Sequence, residues 1–220
     1  STVKNLLDIQ DTIKVKLNEI NINNYPKIIA VSKTFKIDQI SPLIDHGHKD
    51  FGENKVQELE IKHKILPKDI NWHMIGHLQT NKVKKIVPFI SLIHSVDSIK
   101  LLKVINKESK KINKITKFLI QVNISNEKNK YGFKFSDLNF LNSEFLKDYK
   151  NIEIMGLMGM ASYSSNKLNI NKEFNSLNEK YMNLKDNISS FSILSMGMSN
   201  DYELALIEGS NMIRVGSKIF

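Results

Sequence analysis

Apolar residues alternate along this chain between two textures. Short, nearly continuous runs rich in Val, Ile, Leu and Met occupy residues 27–33 ("KIIAVSK"), 50–52 ("DFG"), 71–76 ("NWHMIG"), 91–96 ("SLIHSV"), 117–124 ("KFLIQVNI"), 152–160 ("IEIMGLMGM"), 191–197 ("FSILSMG") and 212–216 ("MIRVG"). Between them, apolar positions recur at helical spacing with Lys, Glu or Asn on the outer face, most clearly at 98–112, 136–149 and 171–188. A strand that is apolar throughout is covered on both sides, as in a parallel sheet whose crossovers are helices. Eight such units predict an α/β fold, a (β/α)₈ barrel, with "STVKNLLDIQDTIKVKLNEI" as an extra N-terminal helix. An open, doubly wound sheet is the alternative reading, since "DFG" is short for a strand. No Pro/Gly/Ser-rich linker interrupts the pattern, so residues 1–220 read as one domain. The longest polar loop, 162–172, follows the sixth run and is expected on the carboxyl rim of the barrel.

Composition narrows the class. The chain carries 32 Lys+Arg against 23 Asp+Glu, a formal net charge of +9. The lysines are spread over the helical segments, often beside acidic residues, which reads as solvated faces rather than a nucleic-acid stripe. There is no cysteine, so disulfides and thiolate metal sites are excluded. The first helix lacks the apolar core of a signal peptide, and no run reaches the length of a membrane span. A cytoplasmic protein that binds neither nucleic acid nor membrane, and acts as a monomer, is the expectation.

Candidate chemistry concentrates at the two ends of the barrel pattern. Lys33 directly follows the buried run "IIAVS", where burial would favour a free amine able to condense with an aldehyde. Arg214 is the only arginine present. Its planar, permanently charged group can donate to a ring nitrogen, the competing reading being a salt bridge to a carboxylate. In a barrel, the loops after strands seven and eight commonly make a phosphate site. There, Ser199 or Asn200 is placed to cap the helix that follows, and Gly216 with Ser217 offers close backbone approach plus a hydroxyl. A closed barrel makes strands one and eight neighbours, so these groups converge. An amine, an anion socket and a ring-nitrogen donor are the parts needed to hold pyridoxal 5′-phosphate.

The segments "AVSKT", "FGENKVQE", "WHMIGHLQTNK", "IHSVDS", "QVNISNEKNKYGF", "GLMGM", "SMGMSNDYELALI" and "GSNMIRVGSKIF" occur in order over nearly the whole chain. Together they resemble the pyridoxal phosphate homeostasis protein family, whose fold is like the barrel domain of alanine racemase. The resemblance implies Lys33 as the Schiff-base lysine and Arg214 near the pyridine nitrogen. It implies phosphate contacts from Ser199, Gly216 and Ser217, helped by the backbone around Met198, and a pocket role for Asn54. His77 and Gln79 match a family segment near the mouth. Family members continue past the terminal "IF", whereas this chain stops at Phe220; the cradle precedes that point.

The resemblance also implies a carrier or buffer of the cofactor, passing it to apo-enzymes, rather than an enzyme. An arginine at the ring nitrogen discourages its protonation and weakens the ring as an electron sink. Racemisation, the alternative activity, needs proton-handling groups on both faces. Lys33 can serve one, and among six tyrosines only Tyr163, after the sixth run, is near enough to suggest itself for the other. His73 and His77 are four apart but lie in a strand pattern, so no metal site is expected. His46 and His48 read as parts of a helix-ending turn, His94 as a packed, hydrogen-bonded residue, and Asp97-Ser98 as a helix cap. Met155, Met158 and Met160 read as core, with Gly156 and Gly159 clearing space for a planar ring.

Overall fold

The computed structural model describes residues 1–125, 127–128 and 130–220. Helix α1 (Thr2–Glu19) begins at Ser1, whose hydroxyl accepts the Lys4 N–H, and lays Leu6, Ile9, Ile13 and Leu17 against the rest of the protein. The following order is β1 (Lys27–Val31), α2 (Ile37–Asp45), β2 (Asp50–Glu53), α3 (Val56–Ile65), β3 (Asn71–Met74), α4 (Val83–Ile86), β4 (Leu92–Val96) and α5 (Ile99–Lys111). Then come β5 (Thr116–Val122), α6 (Ser143–Leu146), β6 (Ile152–Gly159), α7 (Lys167–Lys185), β7 (Ile193–Met196), α8 (Tyr202–Ile207) and β8 (Met212–Val215). Among the described residues the eight strands close in chain order into a parallel barrel, and the open-sheet alternative falls away.

Closure is set by β1 lying parallel to β8, with Ile29 opposite Arg214 and Ala30 opposite Val215. Side chains alternate across each strand. One set joins the shell between barrel and helices, a continuous cluster that includes Phe51, Trp72, Phe118, Phe174 and Ile213. The other set, Ile29, Leu92, Leu119, Met158 and Met212, forms a small separate cluster inside the barrel. Strands buried on both faces need this double apolar lining, which is why they read as unbroken apolar runs.

Three expectations change. The segment 136–149 is not one helix but a 3₁₀ turn, Phe135–Phe140, followed by α6. Asn142 restarts the chain there, its side chain accepting the Phe145 N–H at 2.9 Å. The polar loop ends at Asn166, which caps α7 by accepting the Asn169 N–H, so 167–172 is already helical. The two strand-six glycines clear space for backbone and helix rather than for a ring. Gly156 has φ +153°, at a register shift where β6 gains a residue against β5, and a Cβ there would lie 1.7 Å from the Ile193 carbonyl oxygen. A Cβ at Gly159 would press on Leu177 of α7 at 2.7 Å. His46 and Gly47 do end α2 in a turn, and Ser98 caps α5 by accepting the Leu101 N–H.

Candidate functional site

Two adjoining clefts open at the carboxyl end of the barrel. The outer one, about 370 Å³, is lined by Lys33, Ser199, Arg214, Gly216 and Ser217, with Met198 between them. The inner one, about 140 Å³, shares Lys33, Met198 and Arg214 and adds Asn54. Lys33, Asn54, Met198, Ser199, Arg214, Gly216 and Ser217 all border this one mouth, those from β1 and β8 brought together by the pairing of the first and last strands, whereas Gln79 borders neither cleft.

Lys33 sits two residues past β1 and is exposed, so the burial expected of it is absent. What fixes its approach is the residue before it. The Ser32 N–H donates to the Gly52 carbonyl at 3.0 Å, and the Ser32 carbonyl accepts from Lys62 Nζ at 2.8 Å. The Ser32 hydroxyl also bonds Glu53, which is fully buried and meets Lys62 Nζ at 2.9 Å. Burial, reinforced by the neighbouring Glu58, pushes the Glu53 carboxyl up to about 7 in spite of Ser32 and Lys62. A buried, hydrogen-bonded ion pair thus braces the turn that presents Lys33.

Arg214 is only 3% exposed. Its Nη1 donates to Ser195 Oγ and its Nη2 to the Gly159 carbonyl at 3.3 Å. Burial draws its pKa down to about 10 against the favourable charge of Asp201. Among the described residues it makes no salt bridge, so the competing sequence reading is set aside.

The cradle is built differently from expectation. Helix α8 has six residues and Asp201 at its cap position, without a side-chain cap bond. Ser199 instead ties the loops after β7 and β8, its Oγ accepting from the Gly216 N–H at 3.2 Å and the Lys218 N–H at 3.4 Å. The Met198 N–H donates to Asp201 Oδ1 at 2.7 Å. Burial raises the Asp201 carboxyl. Gly216 is needed for closeness: a Cβ there would stand 3.2 Å from Val31 Cβ. We expect Ser199→Ala to leave two part-buried N–H groups without an acceptor and to lower stability by about 1–2 kcal/mol in denaturant unfolding. An unchanged midpoint would show that the loops do not rely on this hydroxyl.

The structure also brings in residues that the sequence reading passed over. Tyr131, in the loop after β5, lines the inner cleft together with His77 and Gln121. Its ring stacks on His77 at 3.8 Å, and His77 Nδ1 meets Asp97 Oδ2 at 3.0 Å. Tyr163 borders the outer cleft, not the inner one, and is 96% exposed. The motif "NKYGF" held the signal for Tyr131, but only the turn back onto the barrel aims it. Asp97 serves His77 rather than capping α5. His73 and His77 point to different partners, and no group of three or more His, Cys, Asp or Glu residues suited to a metal occurs among the described residues.

Comparison with known proteins agrees with this architecture. A family model described as "Alanine racemase, N-terminal domain" matches residues 11–220. A protein of Helicobacter pylori named "Pyridoxal phosphate homeostasis protein" is 34% identical, with 96% of each chain aligned. Among solved structures, an unknown protein from Bifidobacterium adolescentis superposes with TM-score 0.93 at 28% identity, covering 100% of this chain and 94% of that one. PipY of Synechococcus elongatus with PLP bound superposes with TM-score 0.80 at 30% identity, covering 94% of this chain and 99% of that one.

Proposed function

This chain belongs to the pyridoxal phosphate homeostasis protein family, and from that premise we propose that it binds pyridoxal 5′-phosphate through a Schiff base at Lys33 and carries or buffers it. The observation that supports this reading most is the β1–β8 pairing, which sets an amine, a buried guanidinium and a serine- and glycine-lined socket around one cleft. The donor set fits the cofactor. Lys33 supplies the amine, and Arg214 supplies a donor that cannot accept a proton from the ring nitrogen. Ser199 and Ser217 supply hydroxyl groups suited to phosphate, and Gly216 lets the backbone come close beside them. Asn54 borders the inner end of the same space, its backbone packed so closely on Gly76 that a Cβ there would lie 2.4 Å from the Asn54 oxygen. When bound, the cofactor contributes an aldehyde that bonds an amine and a conjugated ring. The same reading takes residues 1–220 as one cytoplasmic, monomeric domain that passes the cofactor to apo-enzymes.

Absorbance titration tests the proposal. Pyridoxal phosphate should saturate one site per chain, and pyridoxal, which lacks the phosphate, should bind at least about tenfold more weakly. Equal affinity for both would remove the socket from the argument. Arg214→Leu should still take up the cofactor but with a displaced visible band, because the ring nitrogen then faces an apolar side chain. An unchanged band would place Arg214 away from the ring. The stacked Tyr131 and His77, with Asp97 behind them, favour a second reading, an amino-acid racemase, since they put proton-handling groups at the mouth. Incubation with a panel of single-enantiomer amino acids separates the two: turnover well above that of free cofactor would replace the carrier reading.

A further inference from the structure

Beneath the mouth, five polar side chains are joined end to end through the barrel. Arg214 Nη1 donates to Ser195 Oγ, which lies 3.0 Å from His94 Nδ1. His94 Nε2 lies 2.9 Å from His73 Nδ1, and His73 Nε2 lies 3.0 Å from Asp50 Oδ1. His94 and Ser195 are fully buried and His73 is 3% exposed. The five come from β8, β7, β4, β3 and β2, so the line runs from the mouth to the amino end of β2. Apart from Arg214, none of them borders the clefts.

Hydrogen-bond chemistry gives the line one direction. A guanidinium only donates. Ser195 Oγ therefore accepts from Arg214 and has its own proton for His94 Nδ1. His94 then carries its proton on Nε2 and donates to His73 Nδ1. His73 in turn carries its proton on Nε2 and donates to the Asp50 carboxylate, which only accepts. Reversing any link sets two donors or two acceptors against each other. Both rings must be neutral for this, and burial pushes both down, His94 well below 6.5, with the Arg214 charge adding to the effect. Asp50 is faced in addition by Lys27 Nζ at 3.9 Å and by His48, whose Nε2 meets the Asp50 carbonyl at 2.9 Å. Among the described residues Arg214 has no carboxylate within salt-bridge distance, Asp201 acting only as a nearby charge, and the carboxylate that the line reaches is four hydrogen-bonded links away.

We propose that Asp50, His73, His94 and Ser195 are positioning residues for the cofactor site. Together they hold the Arg214 guanidinium in one orientation and connect it to a carboxylate at the far end of the barrel. The part that concerns the cofactor rests on the function proposed above; the direction of the line does not.

Nitrogen-15 spectra of histidine-labelled protein without cofactor read the direction. His73 and His94 should both be neutral and protonated at Nε2 near neutral pH. Ser195→Ala should move the His94 Nδ1 resonance toward that of an unbonded acceptor and shift His73 as well. An imidazolium, or an Nδ1-protonated ring, at either position in the parent protein overturns the line. With pyridoxal phosphate, Asp50→Asn and Ser195→Ala should each weaken binding about tenfold, the loss of one charge-assisted hydrogen bond, and displace the visible band. Ser195→Thr, which keeps the hydroxyl, should retain the parent band. Parent-like affinity and band in both Asp50→Asn and Ser195→Ala would sink the positioning role. If the parent takes up no pyridoxal phosphate, the proposed function fails, and the nitrogen spectra alone decide whether the line orients Arg214.

Discussion

Lys33→Ala protein is expected to lose covalent uptake of pyridoxal phosphate altogether. Borohydride reduction followed by peptide mapping should label Lys33 in the parent and nothing reproducible in the variant. The strength of this expectation comes from competition. Lysine makes up all but one of the 32 Lys+Arg residues, so amines are spread over the whole chain. An aldehyde would react with any of them weakly. Two lysines, Lys33 and Lys130, border the cleft that holds Arg214 and the Ser199–Gly216–Ser217 socket, and Lys130 Nζ is paired with Glu127 at 3.5 Å, so the Lys33 amine is the one expected to meet an aldehyde whose ring and phosphate are already held. Holding two reactants together can be worth several powers of ten in effective concentration. Labelling spread over many lysines in the parent, or persisting at one site in Lys33→Ala, would refute the assignment. The variant should fold normally, because Lys33 is exposed and makes none of the bonds that brace its turn.

Those bracing bonds carry the second large effect. Lys62→Met should destabilise the protein by about 3–5 kcal/mol at neutral to mildly alkaline pH, because it leaves the Glu53 carboxylate buried without a cation. One Glu53 oxygen already lacks a hydrogen-bond partner in the parent. The pH dependence follows in sign. A carboxyl whose pKa rises on folding, here from 4.5 to about 7, contributes stability that is fully present below about 4.5 and is lost as pH rises through 7. Removing Lys62 removes an influence that lowers this pKa, so the loss should deepen and extend to higher pH. Denaturant unfolding at about pH 5 and about pH 8 should show a larger deficit at the higher value. The double variant Glu53→Gln with Lys62→Met should recover much of it. A deficit independent of pH would mean that Glu53 does not titrate in this range. The buried histidines act in the opposite sense. His73 and His94 are held below 6.5, so their contribution is present above that value and is lost as the pH falls beneath it. The parent should therefore be most stable between these two limits.

The barrel was legible in the chain because its cause is local. Runs such as "IIAV" and "MIRV" are apolar at every position, since one set of side chains packs on helices and the other fills the interior. The end of α2 at Gly47 and the cap of α5 at Ser98 were legible for the same reason: each is decided within a few residues. Segment 136–149 misled because its apolar spacing continues through Asn142, where a side-chain bond to the next turn starts a new helix.

Chain order alone placed Lys33, Arg214, Gly216 and Ser217 at one mouth, because an eight-stranded closed sheet makes its first and last strands neighbours. Tertiary structure decided what surrounds them. That Lys33 is exposed and braced by a buried Glu53–Lys62 pair, that Ser199 ties two loops instead of capping a helix, and that Tyr131 rather than Tyr163 lines the inner cleft all depend on how separate loops fold back over the rim. The line from Arg214 to Asp50 depends on which inward side chains of five strands meet across the interior. Burial patterns are written along the chain, residue by residue. Hydrogen-bond partners as far apart as His94 and Ser195 are set by the register and tilt of the closed barrel, and no spacing in the sequence records those.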